Sequence, residues 1–194
     1  MPAIDPSLFR DTMRDELRSA WLTLRDRHRD DRFYAFGFYT SELASDLMVT
    51  ASTEEGLSAV TGRYVAKLHR DPALTRASLR WSPCDSPLHI EGSDLLPRSS
   101  ELRNAGPDPY DDTPEADQAV ALVFHTAVEA LQQLDRDGAF GRDAEREQLV
   151  LGVWKGDQSD EERIEFARQL NPKPVVQRFV RELTAARKAF RAIY

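Results

Sequence analysis

Residues 32–57 read RFYAFGFYTSELASDLMVTASTEEGL, and the order of apolar and polar letters in them decides the fold class. Two aromatic and β-prone runs, 32–40 and 47–52, stand either side of the polar break Ser41–Asp46. The first is apolar or aromatic on both faces, with Tyr34, Phe36 and Phe38 on one and Phe33, Ala35, Gly37 and Tyr39 on the other. A strand of that kind lies centrally, covered on both sides. The second pairs with it as a hairpin, although its connection lacks the Asn-Gly of a tight turn. Ser52 and Glu55 have the spacing of a capping box. They open a helix to about His69 whose apolar face is Leu57, Val60, Tyr64, Val65 and Leu68.

Working outward, Asp5-Pro6 starts a long helix that ends near His28. Phe9, Met13, Leu17, Ala20, Trp21 and Leu24 recur on it at three- and four-residue steps. On the other side, Asp71-Pro72 reads as the end of the helix begun at Ser52. Ala77, Leu79 and Trp81 then alternate with Ser78, Arg80 and Ser82, the pattern of a strand over 77–82. Residues 83–112 hold five prolines and no sustained period, which reads as a long acidic loop with at most a brief edge strand at Leu88–Ile90. Thr113-Pro114-Glu115 is a strong helix start, and Val120 to Leu134 carry its apolar stripe. A strand over 148–155, a helix capped by Ser159 and Glu162, and a final helix after Pro172 complete the chain. The order predicts an α+β fold in one layered domain, 1–194. Its sheet is mixed and mainly antiparallel, with about four strands (32–40, 47–52, 77–82, 148–155) packed against five helices.

Composition narrows the functional classes. At 194 residues and 41% hydrophobic, the chain supports a self-sufficient core. No apolar run approaches the roughly 20 residues needed to span a bilayer, so no membrane role is expected. A single cysteine, Cys84, and an N-terminus that acquires charge within a dozen residues make the cytoplasm the expected compartment. The net charge of −7 disfavours nucleic acid as a partner. Residues 83–117 alone carry nine acids against Arg98 and Arg103, a local charge equal to that total.

Reactive residues are sparse. Asp135-Arg136-Asp137-Gly138 begins like a calcium loop, but Ala139 and Arg146 stand where ligands are needed, so it reads as a helix end with Gly138 left-handed. The histidines are scattered, with His28 and His69 at helix C-termini. No phosphate loop, nucleophile elbow or metal motif occurs, so no catalytic residue, metal or cofactor is assigned. Three residues are kept as pocket candidates: Cys84 and Asp157, each just after a strand, and His125, beside the apolar stripe of its helix. The better candidate is a partner-binding surface of Asp108, Tyr110, Asp111, Asp112, Glu115 and Asp117, an aromatic among carboxylates facing a basic partner.

Several motifs, in order, resemble a bacterial family. They are Phe36–Thr40 with Thr50–Leu57, Arg80-Trp81-Ser82, the stretch Leu134–Gly141 (LDRDGAFG), and Gly156-Asp157 followed by Leu170-Asn171-Pro172. Together they resemble the proteins grouped as domain of unknown function 4303, over most of the chain. The resemblance implies no catalytic residues. Small acidic bacterial proteins of this look are often immunity partners of secreted toxins, an association rather than a structural argument. The expectation is therefore a non-catalytic protein-binding module, an immunity protein that blocks a basic toxin domain. The alternative is an enzyme or small-molecule binder with a pocket near the strand ends.

Overall fold

The computed structural model describes residues 4–193. Its centre is a three-stranded sheet in the order β2-β1-β3, built from β1 (Phe33–Thr40), β2 (Met48–Thr53) and β3 (Val150–Lys155). β1 and β2 form the expected antiparallel hairpin, and β3 runs parallel to β1 on its other side. The α+β class and the mixed sheet stand, with three strands rather than four. Among the described residues there are nine α-helices instead of five: α1 (Pro6–Arg27), α2 (Glu54–Leu68), α3 (Pro72–Leu79), α4 (Pro87–Glu91), α5 (Pro97–Asn104), α6 (Pro114–Arg136), α7 (Asp143–Gln148), α8 (Asp160–Leu170) and α9 (Lys173–Ile193). None is long and apolar enough to cross a membrane.

Three of the four additional helices, α3, α4 and α5, share one cause, while α7 begins at Asp143 without a proline. Proline lacks an amide hydrogen and has φ already near the helical value, so it suits the first turn of a helix, where the amide has no partner. Prolines 6, 72, 87, 97 and 114 all occupy that position, and Pro83 opens a 3₁₀ turn, Pro83–Asp85. Asp71 therefore starts a helix rather than ending one. Its carboxylate accepts the amide of Leu74 at 2.8 Å, and residues 72–79 coil where alternation suggested a strand at 77–82. Residues 83–112 are likewise not a long loop. They hold the 3₁₀ turn, α4 and α5, pieces too short to show a helical period.

The sheet separates two cores. On one side, the stripe of α1, the apolar face of α6, Phe36 and Phe38 of β1, and Leu151 and Val153 of β3 pack together. On the other, Tyr34 and Ala35 meet Trp81, Trp154 and the stripe Val175, Phe179, Leu183 and Ala186 of α9. Trp81 stands edge-on between Tyr34 and Phe179, with ring centroids 5.4 and 4.7 Å away. The faces of β1 differ from simple alternation at one point. Between Phe33 and Ala35 the pairing with β2 shifts by a residue, a bulge with Tyr34 as the extra residue. Tyr34 thereby joins Ala35 and Tyr39, while Phe33 joins Phe36 and Phe38.

Strand pairing runs on through Thr53, opposite Phe33, and this moves the cap of α2 by one residue. Thr53 Oγ1, rather than Ser52, accepts the amide of Gly56 at 3.0 Å. Glu55 instead takes the amide and Nε of Arg32, at 2.7 and 3.0 Å, and these bonds hold its carboxyl below the usual range. The Ser159–Glu162 capping box of α8 forms as expected. Gly37 and Gly152 face each other across β1 and β3. A Cβ on Gly37 would come within 1.9 Å of Gly152 O, and one on Gly152 within 2.3 Å of the Trp154 ring. The glycine pair makes the floor on which the indole lies.

Candidate functional site

The chain enters α6 through a loop whose form comes from its own polar groups. Asp108 accepts the amide of Tyr110 at 3.0 Å, Thr113 N donates to Asp111 O at 3.0 Å, and Thr113 Oγ1 caps the amide of Ala116 at 3.2 Å. Beneath the loop lies Arg103 of α5, only 1% exposed. Its guanidinium donates from Nε to Ala44 O (3.1 Å) and from Nη1 to Pro107 O (2.8 Å), tying the loop to the core. Burial lowers its pKa, opposed by the charge of Asp108. Sequence reasoning missed Arg103, because a buried arginine on a short helix of low amphipathicity looks like any surface arginine.

Between this loop, the start of α1 and the first turns of α6 runs a groove of about 540 Å³. Ile4, Ala119 and Leu122 give it an apolar floor, and Asp108, Asp111 and Glu115 line it as well. Tyr110, Asp112 and Asp117 stand exposed beside the groove, Tyr110 at 74%. Among the described residues, none of these five carboxylates is in an ion pair. Three of the six residues expected at a partner surface thus converge on one groove, and the other three flank it.

The three pocket candidates lie in different settings. His125 is on the exposed side of α6, 3.3 Å from Glu129. Cys84, in the 3₁₀ turn, is exposed and has its Sγ 3.2 Å from Tyr39 Oη at the end of β1. Asp157 follows β3 in a left-handed conformation, φ 54°, and its charge reaches the same phenol. Burial, then Cys84, pushes Tyr39 up to about 12. His89, absent from the sequence-based candidates, stands edge-on to Tyr39 at 4.6 Å, its pKa lowered by burial. The residues of the calcium-like stretch have structural partners. Asp135 binds Arg146 at 2.5 Å, Asp137 accepts from Gln133 at 2.8 Å, and Gly138 has φ +78°.

A three-layered α+β protein with an acid-lined groove is the class that fold and site define. The chain belongs to the family described as "Domain of unknown function (DUF4303)", which matches residues 13–172. No curated protein and no solved structure matches it. Several of the shared motifs have physical roles in this structure. Trp81 is central to the second core, and Asn171 closes the outer edge of β3 with bonds to Leu151 N (2.8 Å) and O (2.7 Å).

Proposed function

We propose that this chain is a non-catalytic protein-binding module whose acid-lined groove receives a basic segment of a partner protein. The observation that carries the reading is the groove beside α6, where three carboxylates without ion-pair partners border an apolar floor. That combination suits lysine or arginine, whose aliphatic stem covers apolar surface while its charged head meets carboxylate. Exposed Tyr110 at the rim adds an amphipathic contact of the type enriched in binding hot spots. The finer reading is an immunity protein that neutralises a cationic toxin domain in the bacterial cytoplasm. It draws on the chain's acidity and on what small acidic bacterial proteins commonly do.

The test is co-expression with the polypeptide encoded beside this chain's gene, followed by an affinity measurement on the purified pair. The triple reversal D108K/D111K/D112K should weaken binding by more than about tenfold in low salt. The difference should shrink near 1 M salt, where the screening length is about 3 Å. Equal affinity of wild type and triple variant at both salt concentrations would exclude the groove as the docking surface.

A further inference from the structure

On the far side of the sheet from the acidic groove, a second cavity of about 180 Å³ opens between α3 and α9. At roughly 30 Å³ per water it has room for about six waters, the scale of a small ion with a short substituent. Three arginines line it, Arg70, Arg163 and Arg187, against one carboxylate, Asp85. Both oxygens of that carboxylate are already engaged: Oδ1 accepts from Tyr64 Oη at 2.7 Å and Oδ2 from Ser82 Oγ at 2.6 Å. Arg187 is held in a two-pronged pair with Asp160, at 2.7 and 2.8 Å. That pair occupies the Nε–Nη2 edge and fixes the guanidinium in place, leaving its Nη1 side for a ligand.

Arg163 is different. Its Nη1 donates to Trp81 O at 3.2 Å, its Nε is buried with no hydrogen-bond partner, and among the described residues no carboxylate pairs with it. Burial first, and then the neighbouring charge of Arg187, lower its pKa, opposed by the charge of Asp160. A guanidinium in that position has lost water and gained a like charge, and both costs are relieved by an oxyanion. The remaining wall, with Leu79 and Leu183, is apolar. We infer that this cavity is a binding site for a phosphate group, either the free ion or a small phosphate monoester, with Arg163 as its main ligand and Arg187 as its second. Guanidinium groups match the fork geometry of phosphate oxygens, and several cations suit its double charge. The site is separate from the acidic groove, and its occupancy does not depend on the groove reading.

Isothermal titration of the full chain with inorganic phosphate and with phenyl phosphate, at a constant ionic strength of about 0.15 M, tests this. Saturable binding of at least one probe is expected. R163Q should weaken it by about tenfold or more, the usual scale for losing a charge-assisted hydrogen bond. R187Q should also weaken it, and it keeps the test decisive if R163Q does not fold, since Asp160 remains partly solvated. R18Q, on the exposed side of α1, should bind as wild type. Saturation by inorganic phosphate alone identifies the free ion. Tighter binding of phenyl phosphate identifies a monoester that also uses the apolar wall. Three results would each overturn the assignment: no saturable binding of either probe, wild-type affinity in both R163Q and R187Q, or an equal loss in R18Q.

Discussion

The outer edge of β3 and the acidic groove beside α6 are both rich in polar side chains, and they use them in opposite ways. At the edge, Arg146, Asn171 and Gln158 each donate to backbone carbonyls, and of their side-chain polar atoms only Gln158 Oε1 is buried without a partner. Arg146 donates to Leu149 O and Leu170 O, Asn171 pairs with both backbone groups of Leu151, and Gln158 donates to Val153 O. These side chains take the place of a fourth strand, so the exposed ladder that an edge presents is closed. At the groove, none of Asp108, Asp111, Asp112, Glu115 and Asp117 is in an ion pair among the described residues, although the charge of Asp108 reaches the buried Arg103. Polar groups bonded inward hold the sheet together. Those left unpaired at the surface add little to the fold and are available to a ligand.

The largest departure from wild type is expected at the sheet's centre. G37A places a methyl against the carbonyl of Gly152, where only backbone movement gives relief. A loss of more than about 3 kcal/mol in urea unfolding is expected from such overpacking. N171A comes next. It strips partners from Leu151 N and O together, each costing about 1–3 kcal/mol when left buried and unpaired, so a loss of at least about 2 kcal/mol is expected. A change below 0.5 kcal/mol would show that water replaces the amide there, and the contrast between edge and groove would then fail. T53A removes the cap of α2 and should cost about 1 kcal/mol.

Smaller still is the groove itself. D108N/D111N/D112N should leave stability within about 0.5 kcal/mol of wild type, or raise it slightly by relieving repulsion, while removing two of the three carboxylates that line the groove and one beside it. A clear destabilisation in that variant would mean that the carboxylates are structural after all. A pH effect separates the two regions further. Burial pushes Tyr34 up to about 12, so the folded state favours the neutral phenol. That contribution is complete below the unfolded value near 10 and is lost as pH rises toward 12. Alkaline unfolding followed by tyrosinate absorbance should therefore be cooperative in wild type and shifted in Y34F. Glu55 behaves in the opposite sense on the acid side. Its lowered pKa gives a small stabilisation present above about pH 4 and lost as pH falls through the folded value. The stability gap to E55Q should close there.

The amphipathic helices were legible in advance because burial follows their period. The α1 stripe from Phe9 to Leu24 and most of the α6 stripe, from Val123 to Leu134, are buried as the spacing requires. The hairpin and β3 were legible from their aromatic and β-branched runs. Residues 72–112 were not. Their helices are five to eight residues long, too short for a period to emerge, and each begins at a proline that also reads as a breaker. The candidate site was half visible. Asp108, Asp111 and Glu115 appear in any count of charge, but Ile4 and Leu122 come to them only through the packing of α1 against α6.

Composition and periodicity by themselves determined the α+β class, the two long buried stripes, the central strand and the concentration of acid before α6. These are local properties, written in spacings of two, three and four residues. Tertiary structure alone decided which polar residues are consumed by the fold. Asn171, Arg103 and Arg146 carry no local mark of burial, and Arg163 meets Arg187 only because α8 and α9 pack together. Partnership between residues far apart in the chain is a matter of three-dimensional distance, and it separates a structural charge from an available one.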